Sequence, residues 1–107
     1  MVSQIQPNDL KMMLDVGAPV LLLDVRQPEE HAFCHLPGGV LIPLGELMAR
    51  AREIDPGESL VVVYCHHGVR SLNVVNWLRQ QGVEACQSMA GGIDAWSLGI
   101  DPSVPRY

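Results

Sequence analysis

Leu60-Val61-Val62-Val63-Tyr64-Cys65-His66-His67-Gly68-Val69-Arg70-Ser71 is the stretch on which the fold turns. Its first half is an apolar, β-branched run behind the turn pair Pro56-Gly57, which predicts a buried strand. The run stops at a cysteine. A short loop with one glycine follows, and Ser71 then opens a helical pattern carried by Leu72, Val75 and Leu78. A strand that ends in a loop feeding a helix start makes an anion cradle. Successive backbone N–H groups turn inward there, above the positive end of the helix dipole. A cysteine at the mouth of such a cradle has its thiolate stabilised, and the thiolate is the nucleophile. Arg70 closes the loop with a planar fork of donors suited to oxyanions. The stretch therefore reads as a nucleophilic Cys65 with Arg70 as its catalytic partner. His66, His67, Gly68, Val69 and Ser71 supply the substrate-binding loop. The competing reading of Cys65 is a small hydrophobe that caps a strand, as most unpaired cysteines do; the Gly-x-Arg context argues against it.

Outward from this stretch, strand patterns alternate with helical ones. Val20 to Val25 is a second apolar strand, and it runs into Asp24-Val25-Arg26. Charges there mark either a solvated loop start or the wall of an active-site cleft, since parallel α/β sheets bind ligands at the carboxyl ends of strands. Their i, i+2 spacing also puts Asp24 and Arg26 on one side, as a structural ion pair requires. Gln27 to Cys34 reads as a short helix with Glu29 and Glu30 in its first turn. His31 and His35 stand at i, i+4 beside Cys34, a spacing that metal ligands use. Leu36-Pro37-Gly38-Gly39 breaks the helix at once and no second ligand pair follows. No metal is expected, and His35 is expected to be a hydrogen-bonded structural histidine.

Nearer the start, Ser3 to Ile5 is a short edge strand. Pro7, Leu10, Met13 and Leu14 outline a one-sided helix that Gly17 ends. Val40 to Ile42 is a short strand, and Leu44, Leu47, Met48 and Ala51 mark an amphipathic helix. Beyond the central stretch, a helix is expected from Ser71 to Gln81, stopping at Gly82, with a strand over Val83 to Cys86. Gly91-Gly92 punctuates, and Ile93 and Trp96 form a short apolar face. Gly99 to Tyr107, with Pro102 and Pro105, is expected to be irregular. The alternation predicts an α/β fold with a mostly parallel sheet.

The 107 residues suit one domain, spanning 1–107, around a single core. A net charge of −5, with Lys11 the one lysine, argues against nucleic acid or an anionic membrane surface as the main partner. A local cradle can still bind an anion against that global field. Three cysteines (Cys34, Cys65 and Cys86) with no CxxC speak against a disulfide framework and for a reducing compartment. The opening MVSQIQPNDL lacks a signal-peptide pattern, and no apolar run approaches the ~20 residues that span a bilayer. A cytoplasmic protein is expected.

Three motifs follow one another along the chain: Asp24-Val25-Arg26 with Glu30 and Cys34-His35-Leu36-Pro37-Gly38-Gly39; then Cys65 to Ser71; then Gly91-Gly92-Ile93-Asp94-Ala95-Trp96. Together they resemble the amino-terminal signature, active-site loop and carboxyl-terminal signature of the single-domain rhodaneses, a sulfurtransferase family. The resemblance implies a rhodanese-like three-layer fold, a mostly parallel five-stranded sheet with helices on both faces. It puts Cys65 on the sulfur-accepting cysteine, Arg70 on the closing arginine, and Asp24 and Arg26 on a supporting pair. Cys34 and Gly39 replace the usual glycine and alanine of the first signature. His66 stands where the best-known thiosulfate enzymes carry a permanently charged residue.

The implied reaction is two displacements with no cofactor. A sulfane sulfur passes from a donor such as thiosulfate to a Cys65 persulfide, then to a thiophilic acceptor: cyanide, a thiol or a protein cysteine. The implied partners are a small anionic sulfur donor and a protein sulfur donor or acceptor. Two other functions fit the same fold. One is a non-catalytic or carrier-type module in sulfur trafficking. The other is a cysteine-based phosphatase, whose loop is one residue longer. From Cys65 to Arg70 the loop has six residues, which suits a single sulfur atom better than a tetrahedral phosphoryl group. His66 and His67 either tune the site's charge near neutral pH or only fill loop positions.

Overall fold

The computed structural model describes residues 1–107. Its five strands are β1 (Gln4–Ile5), β2 (Val20–Asp24), β3 (Val40–Leu41), β4 (Leu60–Tyr64) and β5 (Cys86–Met89). They form one sheet in the order β1-β5-β4-β2-β3, and every neighbouring pair is parallel. The expected mostly parallel sheet is thus parallel throughout. β4 sits at its centre because its β-branched run suits a strand covered on both faces.

Side chains alternate along β4. Val61, Val63 and the following Cys65 join Leu23, Val25, Ile42, Val74, Val75 and Leu78 in one core cluster. Val62 and Tyr64 join Leu10, Leu22, Leu36, Ile93 and Trp96 in the other. Helices α1 (Pro7–Asp15) and α5 (Gly92–Gly99) cover the Tyr64 face, where they meet each other; α3 (Leu47–Arg50) and α4 (Val69–Gln80) cover the Cys65 face. The short α2 (Pro28–Phe33) follows β2 at the carboxyl edge. This is the three-layer architecture that the sequence implies.

Three elements differ from expectation. α4 opens at Val69, two residues before Ser71, because Gly68 at φ +99° lets the chain reverse directly out of the loop. β5 covers Cys86–Met89 rather than Val83 to Cys86. Val83 is spent closing α4: its N–H donates to Leu78 O at 3.0 Å behind Gly82, which is left-handed at φ +98°. The amphipathic helix expected near Leu44 breaks into a 3-10 turn over Leu44–Glu46, the single turn of α3, and a second 3-10 turn over Ala51–Glu53. Leu47 is its one buried apolar anchor, while Met48 is 80% exposed, so packing does not hold a longer helix together. No helix is long and apolar enough to cross a membrane.

Candidate active site

β4 delivers Cys65 to the carboxyl end of the central strand, where its side chain is 1% exposed. Its Sγ accepts N–H groups from Gly68 at 3.1 Å and Ser71 at 3.3 Å, and it lies 3.4 Å from Ser71 Oγ. The first turn of α4 therefore aims donors at the sulfur. α5 fixes the loop from its other side. Ile93 N donates to Cys65 O at 2.9 Å and Asp94 N to His66 O at 3.1 Å. In a trans peptide the N–H points opposite to the C=O, so the N–H groups of His66 and His67 are turned away from α5. Gly68 O is likewise taken, by Leu72 N at 3.2 Å and Ser71 Oγ at 3.2 Å. The N–H groups of His66, His67, Val69 and Arg70 donate to no protein acceptor. The six-residue loop thus has sulfur at its base and four free donors.

This clamp explains Gly92. At φ +63° it passes so close to the loop that a Cβ there would lie 2.4 Å from His66 O and 2.6 Å from Cys65 O. Ser88 on β5 completes the floor: its Oγ is 2.7 Å from Ser71 Oγ, and both residues are fully buried. The sequence had no signal for Ser88, because a lone serine in a strand pattern carries none. Gly91-Gly92 was visible as punctuation and as part of a motif, but its contact with the loop was not.

Arg70 does not present an open fork. Its two terminal nitrogens bind Glu30 on α2, Nη1 to Oε1 at 2.8 Å and Nη2 to Oε2 at 3.0 Å. The Arg70 bond, opposed by burial, holds the Glu30 carboxyl down at about 2. Glu30 in turn holds Arg70 raised. Glu30 also accepts the N–H of Gln27 at 3.0 Å, closing a capping box at the start of α2. Tyr107 lies over this pair. Its hydroxyl donates to Glu30 Oε2 at 2.6 Å and accepts from Arg26 Nη1 at 2.9 Å. Its ring stacks on His66 with centroids 3.8 Å apart and meets Phe33 edge-on at 5.8 Å. Burial and the Glu30 bond push its hydroxyl up to about 12. The segment after α5 has no regular structure, as expected, but it is anchored. Ser97 Oγ donates to Val104 O at 2.6 Å, and Arg106 pairs with Asp94 at 2.9 Å.

Asp24 and Arg26 form a fully buried ion pair, with Nη2 to Oδ2 at 2.8 Å and Nε to Oδ1 at 2.9 Å. Burial works against the charge on Arg26, but its bonds to Asp24 and Tyr107 outweigh that and hold it raised. The pair sits on the Tyr64 face of the sheet, with the guanidinium 5.4 Å from the Tyr64 ring centroid. It reaches toward the loop through Tyr107, and Arg26 Nη1 also donates to Glu30 O at 3.4 Å. Of the three readings for these charges, solvated loop start, cleft wall and structural ion pair, the buried, doubly bonded geometry is that of the third. His31 Nδ1 lies 2.9 Å from Asp24, and His35 Nδ1 donates to His31 O at 2.8 Å, so His35 is hydrogen-bonded as expected. Cys34 and Cys86 are buried, and burial pushes the Cys86 thiol up. Trp96 is core, and Trp77 packs against the Cys65-side cluster. Outside the His31 region, the ligating atoms of His66, His67 and Asp94 lie within 4.8 Å of one another. Asp94 there is already engaged by Arg106. Burial, followed by the neighbouring His67, lowers the pKa of His66.

A parallel sheet with a cysteine loop at its central strand defines a rhodanese-like architecture. Residues 6–98 match the family described as Rhodanese-like domain, and the chain belongs to that family. It is 40% identical over 89 residues to the rhodanese-like/PpiC domain-containing protein 12 of Arabidopsis thaliana, covering 80% of this chain and 30% of that protein. A sulfurtransferase of Allochromatium vinosum is 36% identical over 97 residues, covering 91% of this chain and 90% of that one. The crystal structure of a rhodanese-related protein from Thermoplasma volcanium superposes with a TM-score of 0.85 at 28% identity, covering 99% of this chain and 100% of that one. The chain spans between 22% and 30% of the length of several curated relatives it matches. Family and relatives together support sulfur transfer as the general chemistry.

Proposed function

We propose that the protein is a sulfurtransferase that carries a sulfane sulfur as a persulfide on Cys65. The observation that carries this reading is the Cys65 sulfur at the base of a six-residue loop, under two aimed N–H groups and beside four free ones. The Cys65 thiolate attacks the outer sulfur of a donor such as thiosulfate. The donor's S–S bond breaks and sulfite leaves with the bonding pair. The new outer sulfur stands about 2.05 Å from Sγ and carries the negative charge. The free N–H groups of His66, His67, Val69 and Arg70 are the donors for that charge. Gly68 and Ser71 hold the inner sulfur. A thiophilic acceptor (cyanide, a thiol or a protein cysteine) then attacks the outer sulfur and returns the Cys65 thiolate. No step calls for a metal or an organic cofactor. Asp24 and Arg26 act at a distance, by seating Tyr107. Three free cysteines suit a reducing compartment such as the cytoplasm.

The test is intact mass after incubation with a sulfane donor, thiosulfate or a polysulfide. The protein should gain about 32 mass units, one sulfur atom, and lose them to cyanide. Cys65→Ser should gain none. Para-nitrophenyl phosphate should not be hydrolysed. Cys65-dependent phosphatase turnover without persulfide formation overturns the reading.

A further inference from the structure

Two buried side-chain polar atoms have no protein partner, and one of them is Nε2 of His66. A shielded imidazole nitrogen without a hydrogen bond is costly unless something outside the chain meets it. The other atom, Arg79 Nε, sits on a guanidinium whose two Nη groups donate to the carbonyls of Met1, Val2 and Cys86. A guanidinium has no lone pair to give, whereas an imidazole does. A ligating atom of His66, one of His67 and a carboxylate oxygen of Asp94 lie within 4.8 Å of one another. His67 Nε2 stands 3.9 Å from Asp94 Oδ2, too far for a hydrogen bond. Asp94 Oδ1 accepts Arg106 Nε at 2.9 Å, while Oδ2 holds only the longer Nη2 contact at 3.4 Å. The carboxylate is thus oriented from behind, as ligating carboxylates are, with Oδ2 toward the imidazole. Asp94 N also donates to His66 O at 3.1 Å, so the loop and α5 that carry these groups are already locked together. The sulfur step uses the backbone N–H groups of His66 and His67 and none of these three side chains.

We propose that His66, His67 and Asp94 bind one divalent transition-metal ion of the zinc class, which bridges the cysteine loop to α5. The donor set names the ligand. Two imidazole nitrogens and one carboxylate oxygen suit Zn²⁺ or Co²⁺ and leave a fourth tetrahedral position for water. The hard cations Ca²⁺ and Mg²⁺ take oxygen ligands instead. Metal–donor bonds of about 2.0–2.2 Å place tetrahedral donors roughly 3.3–3.5 Å apart. The His67 side chain is 62% exposed, so rotation of that side chain closes the remaining gap. The ion takes no part in the sulfur-transfer step, and the site stands whether or not Cys65 carries sulfur. Its effect is a second tie between the loop and α5, beside the backbone bonds from Ile93 and Asp94.

The experiment titrates chelator-treated protein near neutral pH with Zn²⁺, read by calorimetry, and with Co²⁺, read by visible absorption. It uses wild type and Cys65→Ser side by side, because a thiolate also binds these ions. Both proteins should bind one Zn²⁺ per chain in the micromolar range. Co²⁺ should give tetrahedral visible bands without a near-ultraviolet thiolate band, and excess Mg²⁺ or Ca²⁺ should not displace it. His66→Gln, His67→Gln and Asp94→Asn should each weaken Zn²⁺ binding by about tenfold or more. His67 is exposed, so His67→Gln keeps the test open where His66→Gln, which loses the stack on Tyr107, fails to fold. The chain's other two histidines, His31 and His35, stack with centroids 4.0 Å apart. His35→Gln should leave the affinity within about twofold of wild type. Saturating Zn²⁺ should raise the thermal midpoint of wild type and do so less in His67→Gln. No saturable binding, binding lost in Cys65→Ser, or unchanged affinity in folded His67→Gln and Asp94→Asn overturns the proposal. Binding lost in His35→Gln but kept in His67→Gln puts the ion on the other pair and overturns it as well.

Discussion

Two backbone N–H groups, from Gly68 and Ser71, aim at the Cys65 sulfur. Cys86 has the reverse environment: its thiol lies near the carbonyls of Val83 and Val75, at 3.2 and 3.8 Å, as a donor. Donors favour a thiolate, while acceptors and burial favour the neutral thiol. Limiting iodoacetamide near neutral pH, read by peptide mass, should therefore label Cys65 first and Cys86 last. Preferential labelling of Cys34 or Cys86 in the folded protein contradicts this. At this scale the sequence was informative about Cys65 and much less so about its neighbours. The nucleophile announces itself through adjacent residues, a strand before it and a helix start after it. The partner of Arg70 does not. Glu30 was visible only as an acidic residue in a first turn, and nothing local says that its carboxylate spans two elements to meet a guanidinium. Tyr107 was hidden for the same reason, in a segment whose prolines predict irregular backbone but not where that backbone is tied.

α4 and α5 approach the loop from different directions and do different things to it. α4 gives N–H groups to the sulfur, and α5 gives N–H groups to the loop's carbonyls. The second contact sets which way the His66 and His67 peptides face, so it depends on how closely α5 can approach. Gly92→Ala places a Cβ against His66 O with backbone at φ +63°. Something must shift, and the expected cost is about 2 kcal/mol or more. Gly99, in the same helix, has nothing within 4 Å of an added Cβ. Gly99→Ala should stay within about 0.5 kcal/mol of wild type. Urea unfolding midpoints check the stabilities, and persulfide formation should slow in Gly92→Ala alone. A Gly92→Ala protein as stable and as fast as Gly99→Ala removes the clamp from the account. Strand and helix order was legible because buried parallel strands leave apolar runs and helices leave 3.6-residue stripes. Element ends were less so. The start of α4 is set by Gly68 reversing the chain, and β5 starts late because Val83 closes the previous helix.

Across the whole molecule, one carboxylate joins three parts of the chain that are distant in sequence. Glu30 of α2 binds Arg70 at the start of α4 and Tyr107 beyond α5. Its side chain is 19% exposed and that of Arg70 34%, so the pair is neither deeply buried nor fully screened. Removing the carboxylate charge with Glu30→Gln should cost roughly 1–2 kcal/mol at neutral pH, the lower part of the range for charge-assisted bonds because Arg70 is partly open to solvent. The pH dependence gives this pair a distinct sign. The Glu30 carboxyl is held at about 2 in the folded protein, chiefly by Arg70, against an ordinary value of 4.5. A depressed acid contributes stability that is complete above its unfolded value and fades as pH falls toward its folded value, because the unfolded chain takes up the proton first. The stability gap between wild type and Glu30→Gln should therefore be constant from about pH 5.5 to 7.5. Below about pH 4.5 it should narrow steadily. Urea unfolding of both proteins across that range measures the gap directly. A gap that widens on acidification, or that is missing at neutral pH, would show that the Glu30 carboxylate does not tie α2, α4 and Tyr107 together.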